Sequence, residues 1–285
     1  MTIYEFSVIT NTGFLYLNLK VKDPPKNVKL YLRFFDFSKD KGEAPFKLDP
    51  VSSFELNAGL VSALFEFARN IDKKIDVIEF KSRSDEKTSD ARSKYEGDIL
   101  ITAQTESYLL HKSFRQKVKI IYEKIFRSKV PLDAALQILQ NEEDYILRIL
   151  EDRVARKLVM DKQIELESIG SEFLKEMGEF GLTGIGITSF DLSPILVFKN
   201  HYTLEDVDEI LRNIGIFPEI EPLEWIYRQS FIKNEQIWVY IVKSGVGPTV
   251  EGLFEPYFYL LFAKPQTYLG EFPSKLTARF NQILG

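Results

Sequence analysis

The chain has no cysteine, and its 285 residues include only two histidines, two tryptophans and three methionines. Without cysteine there are no disulfides, no thiolate nucleophile and no Cys-based zinc or iron–sulfur site, a usage that fits a reducing compartment. His111 and His201 have no acidic cluster spaced around them as in a metal site or a catalytic triad, so both read as surface or capping histidines. No apolar run approaches the ~20 residues that span a bilayer. The amino terminus enters an alternating stretch, Ile3 to Ile9, with no basic region or apolar core of a secretory signal, so the expectation is a soluble, cytoplasmic protein. A formal charge of -5 and an acidic balance speak against a general nucleic-acid binder, which needs a basic surface.

Phosphate-loop chemistry is also missing. The glycines Gly181, Gly184 and Gly186, and Gly245 with Gly247, are not followed by the Lys-Ser/Thr of a P-loop. Gly184 and Gly186 fall inside an alternating stretch, where a missing side chain permits close packing. Glu142 and Glu143 are accounted for by a helix start, where carboxylates meet the positive end of the helix dipole. No catalytic residue, cofactor-binding residue or metal ligand is assigned.

What the chain does have is apolar material, 45% hydrophobic with 23 Phe, enough for a core in each half. The segment Pro131 to Met177 carries helical periodicity almost without interruption. Ile146, Leu150, Val154 and Leu158 recur at i+4, and Ile169, Phe173 and Met177 repeat that spacing one helix later. Asn141 followed by Glu142, Glu143 and Asp144 predicts a helix start. A short helix, Pro131 to Gln140, then closes a first domain over 1–140. A helical connector and first helix follow over 141–178, and a second domain spans 179–285.

In the first domain, Ile3 to Thr10 and Phe14 to Lys20 read as strands joined by a tight turn at Asn11 to Gly13. Val28 to Phe37 reads as a third, central strand. A helix over Phe54 to Ile71, a strand Ile75 to Phe80, a charged loop Ser82 to Glu96, a strand Asp98 to Thr105 and a helix Tyr108 to Arg127 follow. In the second, Gly181 to Phe190 and Ile195 to Lys199 form a hairpin. Thr203 with Asp206 resembles a capping box opening a helix that ends at Gly215. Glu224 to Ile232 and Gln236 to Lys243 form another hairpin, and a strand Tyr257 to Ala263 precedes a helix Pro273 to Leu284. The expected class is α+β, two tandem units that each pack a five-stranded antiparallel sheet with helices.

Two surfaces stand out. The Phe54 to Ile71 helix is apolar almost all round except for a stripe of Glu55, Ser62, Glu66 and Arg69 that also holds Gly59. Burial within the chain and a subunit interface both account for it. Lys112, Arg115, Lys117, Lys119, Lys124, Arg127 and Lys129 make the Tyr108 to Arg127 helix and the residues just beyond it basic in an acidic protein. That is a solvated face, or one offered to an anionic membrane or an acidic partner. Glu55, Gly59, Ser62, Glu66, Lys112, Arg115 and Lys119 are therefore the candidate partner-binding residues.

The hairpin VITNTGFLYLNLK (Val8 to Lys20), the helix LNAGLVSALFEFARNI (Leu56 to Ile71), the strand GDILITAQT (Gly97 to Thr105) and the helices after it resemble a longin domain, whose order is three strands, helix, two strands and two helices. The second unit, with GIGITSFDLSPILVF (Gly184 to Phe198) after a helix, is similar to the roadblock or profilin-like fold. The resemblance implies a non-enzymatic scaffold of small-GTPase regulation or vesicle trafficking, including eukaryote-like forms in archaea. Such a scaffold binds a small GTPase or another longin- or roadblock-like subunit, as a homo- or heterodimer, and in some cases acts as an exchange factor. It carries over no individual residue. The alternative is a small-molecule sensor in which Trp225, Tyr227, Trp238 and Tyr240 line a pocket.

Overall fold

A computed structural model describes residues 2–10, 14–26, 28–37, 58–59, 62–64, 66, 69–70, 99–129, 138–198, 202–215 and 217–285. By compactness the chain divides into Met1–Ser38 with Glu96–Gly285, and a second unit, Lys39–Tyr95. The described residues of the larger unit form a four-stranded and a five-stranded antiparallel sheet, a small two-stranded one, and helices, a mixed α+β architecture.

The first sheet contains β1 (Ile3–Thr10), β2 (Leu15–Lys20), β3 (Leu30–Asp36) and β4 (Ile99–Glu106), in the order β2-β1-β4-β3. Period-2 alternation sorts β3 into two faces. Arg33, Phe35 and Phe37 turn towards the following helix, and Leu32 and Phe34 stay exposed. Expected to be central, β3 instead ends the described sheet; its richness in Leu, Tyr and Phe serves one packed face and leaves the other open. α1 (His111–Ile121) continues into a π-turn over Tyr122–Phe126 and a short 3-10 turn, Arg127–Lys129. Its buried stripe is Phe114, Val118 and Ile121 as the spacing predicts, with Lys117 added to it.

Three helices link the sheets: α2 (Gln140–Leu150), α3 (Arg153–Asp161) and α4 (Gln163–Met177). The start of α2 differs from expectation. Leu139, not Asn141, is the N-cap residue, and the Glu142 carboxylate accepts its backbone N–H at 2.9 Å. The i+4 series also fails past Leu150. Asp152 adopts φ 53°, which breaks the helix and resets its phase, so Ala155 and Val159 are buried and Leu158 is exposed.

The second sheet takes β5 (Leu182–Thr188), β6 (Pro194–Val197), β7 (Trp225–Ile232), β8 (Glu235–Lys243) and β11 (Phe258–Ala263), in the order β6-β5-β11-β8-β7. A two-residue-strand hairpin, β9 (Thr249–Val250) with β10 (Leu253–Phe254), was not foreseen. α5 (Leu204–Ile214) begins with the expected capping box, Thr203 Oγ1 accepting from Asp206 N at 3.2 Å and Asp206 Oδ2 from Thr203 N at 2.8 Å. It covers one face, with Val207, Ile210 and Leu211 against Val239, Ile241 and Leu260. α4 and α6 (Phe272–Leu284) cover the other, with Phe173, Leu276 and Phe280 against Ile187, Tyr259 and Leu261. Both sheets follow one winding rule: a hairpin opens, and the last strand returns to pair beside the hairpin's first strand.

Candidate functional site

Among the described residues, a heavily charged buried group lies where α1 meets the turn between β5 and β6. Lys117 sits one turn from Phe114 and Ile121 on the apolar face of α1, fully buried. Its Nζ is 2.5 Å from Asp152 Oδ1 and 2.5 Å from Asp191 Oδ2, and lies 5.2 Å from the centre of the Phe190 ring. Asp191 uses its other oxygen to fix the turn, accepting from Ser189 Oγ at 2.7 Å and Ser193 N at 3.0 Å. Arg156 on α3 closes the same turn by donating to Ser193 Oγ at 2.6 Å and the Pro194 carbonyl at 2.8 Å. Glu255 is buried and acts electrostatically on the group.

Burial opposes ionisation of Asp191, but the Lys117 ammonium and the bonds from Ser189 and Ser193 outweigh it and hold the carboxyl below its ordinary range. Asp152 lacks those bonds. Burial and the Asp191 charge push it up to about 6 against the pull of Lys117. Glu255 is pushed up to about 8 by burial and by Asp152, again with Lys117 opposing. Burial alone would lower Lys117, yet its two carboxylates raise it. An ammonium bracketed by two carboxylates and an aromatic ring has its donors engaged; the arrangement joins α1, the α2–α3 break and the β5–β6 turn.

A second group ties β4 to α5. Arg212 grips Glu106 with two prongs, Nε to Oε2 at 2.9 Å and Nη2 to Oε1 at 2.7 Å, and Tyr4 Oη donates to the same carboxylate. Beside it Tyr108 Oη donates to Asp208 Oδ1 at 2.5 Å. Arg33 spans β4 and the start of α1, donating to Thr105 Oγ1 at 2.8 Å and the Leu109 carbonyl at 2.8 Å; burial lowers it to about 10.

Lys117 corrects the reading of a continuous basic face, because it points inward. Its place in the i, i+3, i+4, i+7 series Phe114, Lys117, Val118, Ile121 was the signal available in the sequence. Several of the remaining cations meet carboxylates of the same chain: Lys112 with Glu219 at 2.5 Å, Lys124 with Glu251 at 2.9 Å, Arg127 with Glu123 at 2.6 Å and Lys129 with Glu142 at 2.6 Å. Arg115 and Lys119 are exposed on α1, as is Lys112. His111 opens α1, stacked on Phe35 at 5.6 Å with Nδ1 3.2 Å from Arg33 Nη1. Of the stripe, Gly59, Ser62 and Glu66 are exposed and helical. Glu55 and His201 lie outside the described residues, as do the predicted strand Ile75 to Phe80 and the loop Ser82 to Glu96.

The aromatic quartet does assemble. Tyr227 stacks on Trp238 at 5.0 Å and meets Tyr240 at 5.8 Å, and Trp225 meets Tyr240 at 5.5 Å. An open groove of about 610 Å³ runs along Trp225 to Gln229, and Tyr240 is fixed from below by donating to the Thr267 carbonyl at 2.5 Å. Among the described residues no His, Asp or Glu cluster is placed to hold a metal, and no helix is long and apolar enough to cross a membrane. No protein-family model and no curated protein matches the chain.

Proposed function

We propose that the protein is a non-enzymatic interaction protein that binds a small GTPase, or another longin- or roadblock-like subunit, in a trafficking or signalling complex. The observation that carries this reading is the shared winding of the two sheets, a hairpin with the last strand returning beside its first strand, with helices packed against them. That common winding supports reading the two sheets as two units of related fold. The buried charges support it too. Lys117, Asp152, Asp191, Glu106 and Arg212 are spent on one another inside the fold, which suits a scaffold better than a reaction centre. Nucleotide exchange on the bound GTPase is the activity such a scaffold would carry.

The test is retention of purified small GTPases in their GDP, GTP-analogue and nucleotide-free states by the immobilised full chain. Retention in one state, lost at high protein dilution, supports the reading; failure to retain any of them in any state, together with no longin- or roadblock-like subunit recovered, overturns it. The stacked aromatics favour a second reading, a small-molecule sensor, and native mass spectrometry of the purified chain distinguishes it by a retained ligand mass. The groove is open and not enclosed, which makes this the weaker of the two.

A further inference from the structure

The face of the second sheet that packs α4 and α6 extends past those helices. Tyr240, Val242 and Leu261 lie in the core they cover, and Trp225 and Trp238 pack against that core while still partly open. Period-2 alternation puts Tyr227, Gln229 and Phe231 of β7 on the same side as Trp225. Register sets Tyr240 against Tyr227, Trp238 against Gln229 and Gln236 against Phe231. Each glutamine thus stands directly across from a ring. This patch is left to solvent: Tyr227 is 48% and Phe231 53% exposed, and both glutamines are exposed. On the inner side, the loop after β11 is fixed to Tyr240 through the Thr267 carbonyl, and its next residue, Tyr268, is 82% exposed.

What the patch can hold follows from what its side chains offer. The rings present apolar faces with negative charge density, the amides present donors and acceptors together, and none of these side chains is charged. Arg228 alternates to the opposite face, and its guanidinium donates to the Tyr227 carbonyl at 2.9 Å. A nucleic-acid strand, which needs cations for its phosphates, is therefore a poor match. A quaternary ammonium needs rings that close around a point. Here Tyr227 lies only 20° from parallel with Trp238 and 37° from Tyr240, so the rings form a row and not a cage. A neutral sugar fits both halves of the patch, because a pyranose sets an apolar C–H face against a ring while its hydroxyls, like an amide, both donate and accept. Tyr227 and Phe231 are about 13 Å apart along the strand, so a ligand that touches both is a chain of several sugar rings. The openness of the groove along Trp225 to Gln229 suits a chain that lies across the surface.

We propose that this aromatic and amide face of β7 and β8 binds a neutral oligosaccharide chain, laid along β7 across Tyr227, Gln229 and Phe231. The site is independent of whether the chain binds a GTPase. It gives the aromatics of the sensor reading a ligand class, so a different ligand in the groove would keep that reading and end this proposal.

The chain has two tryptophans, Trp225 and Trp238, and both belong to this face, so the intrinsic fluorescence of the full chain reports on it directly. Titration with cellohexaose, maltohexaose and mannohexaose is expected to shift the tryptophan emission with at least one of them, saturably and with little dependence on salt. The matching monosaccharide should bind at least about tenfold more weakly, because one sugar ring cannot reach both aromatics. Tyr227→Ala should keep the melting transition and weaken binding at least about tenfold. Gln229→Ala should weaken it as well, while Tyr227→Phe retains the ring and should bind like wild type. Four results would overturn the proposal: no emission change with any of the three sugars, hexaose binding seen by calorimetry that leaves the emission untouched, a folded Tyr227→Ala or Gln229→Ala chain that binds like wild type, or emission that responds to a proline-rich peptide and to none of the sugars.

Discussion

The Nζ of Lys117 lies 2.5 Å from Asp191 Oδ2 with both side chains completely out of solvent, and Asp152 completes the group from the opposite side at 2.5 Å. Removing the cation leaves two carboxylates facing each other in a dry interior, whereas removing all three charges together does not. Lys117→Met is therefore expected to cost about 3–5 kcal/mol in urea unfolding. The triple variant Lys117→Met, Asp152→Asn, Asp191→Asn should recover part of that loss. Equal destabilisation by the single and triple variants would mean that the shape of the lysine, not its charge, is what the site requires.

The same site sets a pH dependence whose sign can be worked out. Glu255 rises from 4.5 to about 8 and Asp152 from 3.8 to about 6 on folding. A carboxyl raised on folding contributes stability fully below its unfolded value, and that contribution is lost as pH climbs through the folded value. Asp191 is depressed and acts oppositely, losing its contribution as pH falls below the ordinary carboxylate range. The melting temperature should therefore fall between about pH 5 and 8 and level off above. Glu255→Gln should flatten the upper part of that slope; an unchanged slope in this variant would assign it to other groups.

Burial, not distance, decides what the ion pairs contribute. Lys112 and Glu219 are 2.5 Å apart but 76% and 65% exposed, while the Glu106 that Arg212 grips at 2.7 Å is fully buried. Lys112→Ala should change stability by less than about 1 kcal/mol. Arg212→Ala strands a buried carboxylate that also binds Tyr4, and is expected to cost several times as much, roughly 3 kcal/mol or more. Chemical denaturation of the two variants side by side checks the ratio.

Periodicity made most of the second sheet legible. Gly181 to Phe190, Glu224 to Ile232 and Tyr257 to Ala263 contain their strands within a residue or two at most ends, and Thr203 with Asp206 caps its helix as the pattern says. Local signals fix local structure there because each strand has one apolar face and a clear turn. What remained hidden depends on distant partners. The helix break at Asp152 has no glycine or proline to announce it, and the reason for the aspartate is a lysine on another helix. Likewise the seven cations over residues 112–129 looked like one surface, although their neighbours Glu219, Asp191 and Glu251 lie far along the chain. The apolar composition of β3 signalled a strand but not its position, since sheet order is a property of pairing and not of any single segment.

Two glycines should respond to a methyl group with opposite signs. A Cβ placed on Gly184 in β5 would stand 2.7 Å from the Tyr202 ring and 2.9 Å from the Phe262 ring, and both rings are held by the sheet and α5. Its role in close packing is what the alternating sequence around it implies, and Gly184→Ala is expected to destabilise by about 1–3 kcal/mol through overpacking. Gly59 is exposed within a helical stretch, and a Cβ there meets nothing within 4 Å. Gly59→Ala should therefore stabilise by up to ~1 kcal/mol, the difference in helix propensity. If the polar stripe around Gly59 is a contact for a partner, the larger Gly59→Leu should keep a cooperative unfolding transition yet weaken partner binding by at least ~1.4 kcal/mol, a tenfold change. Unfolding curves of the two alanine variants fix the signs, and a Gly59→Leu chain that binds its partner like wild type removes the stripe from the interface.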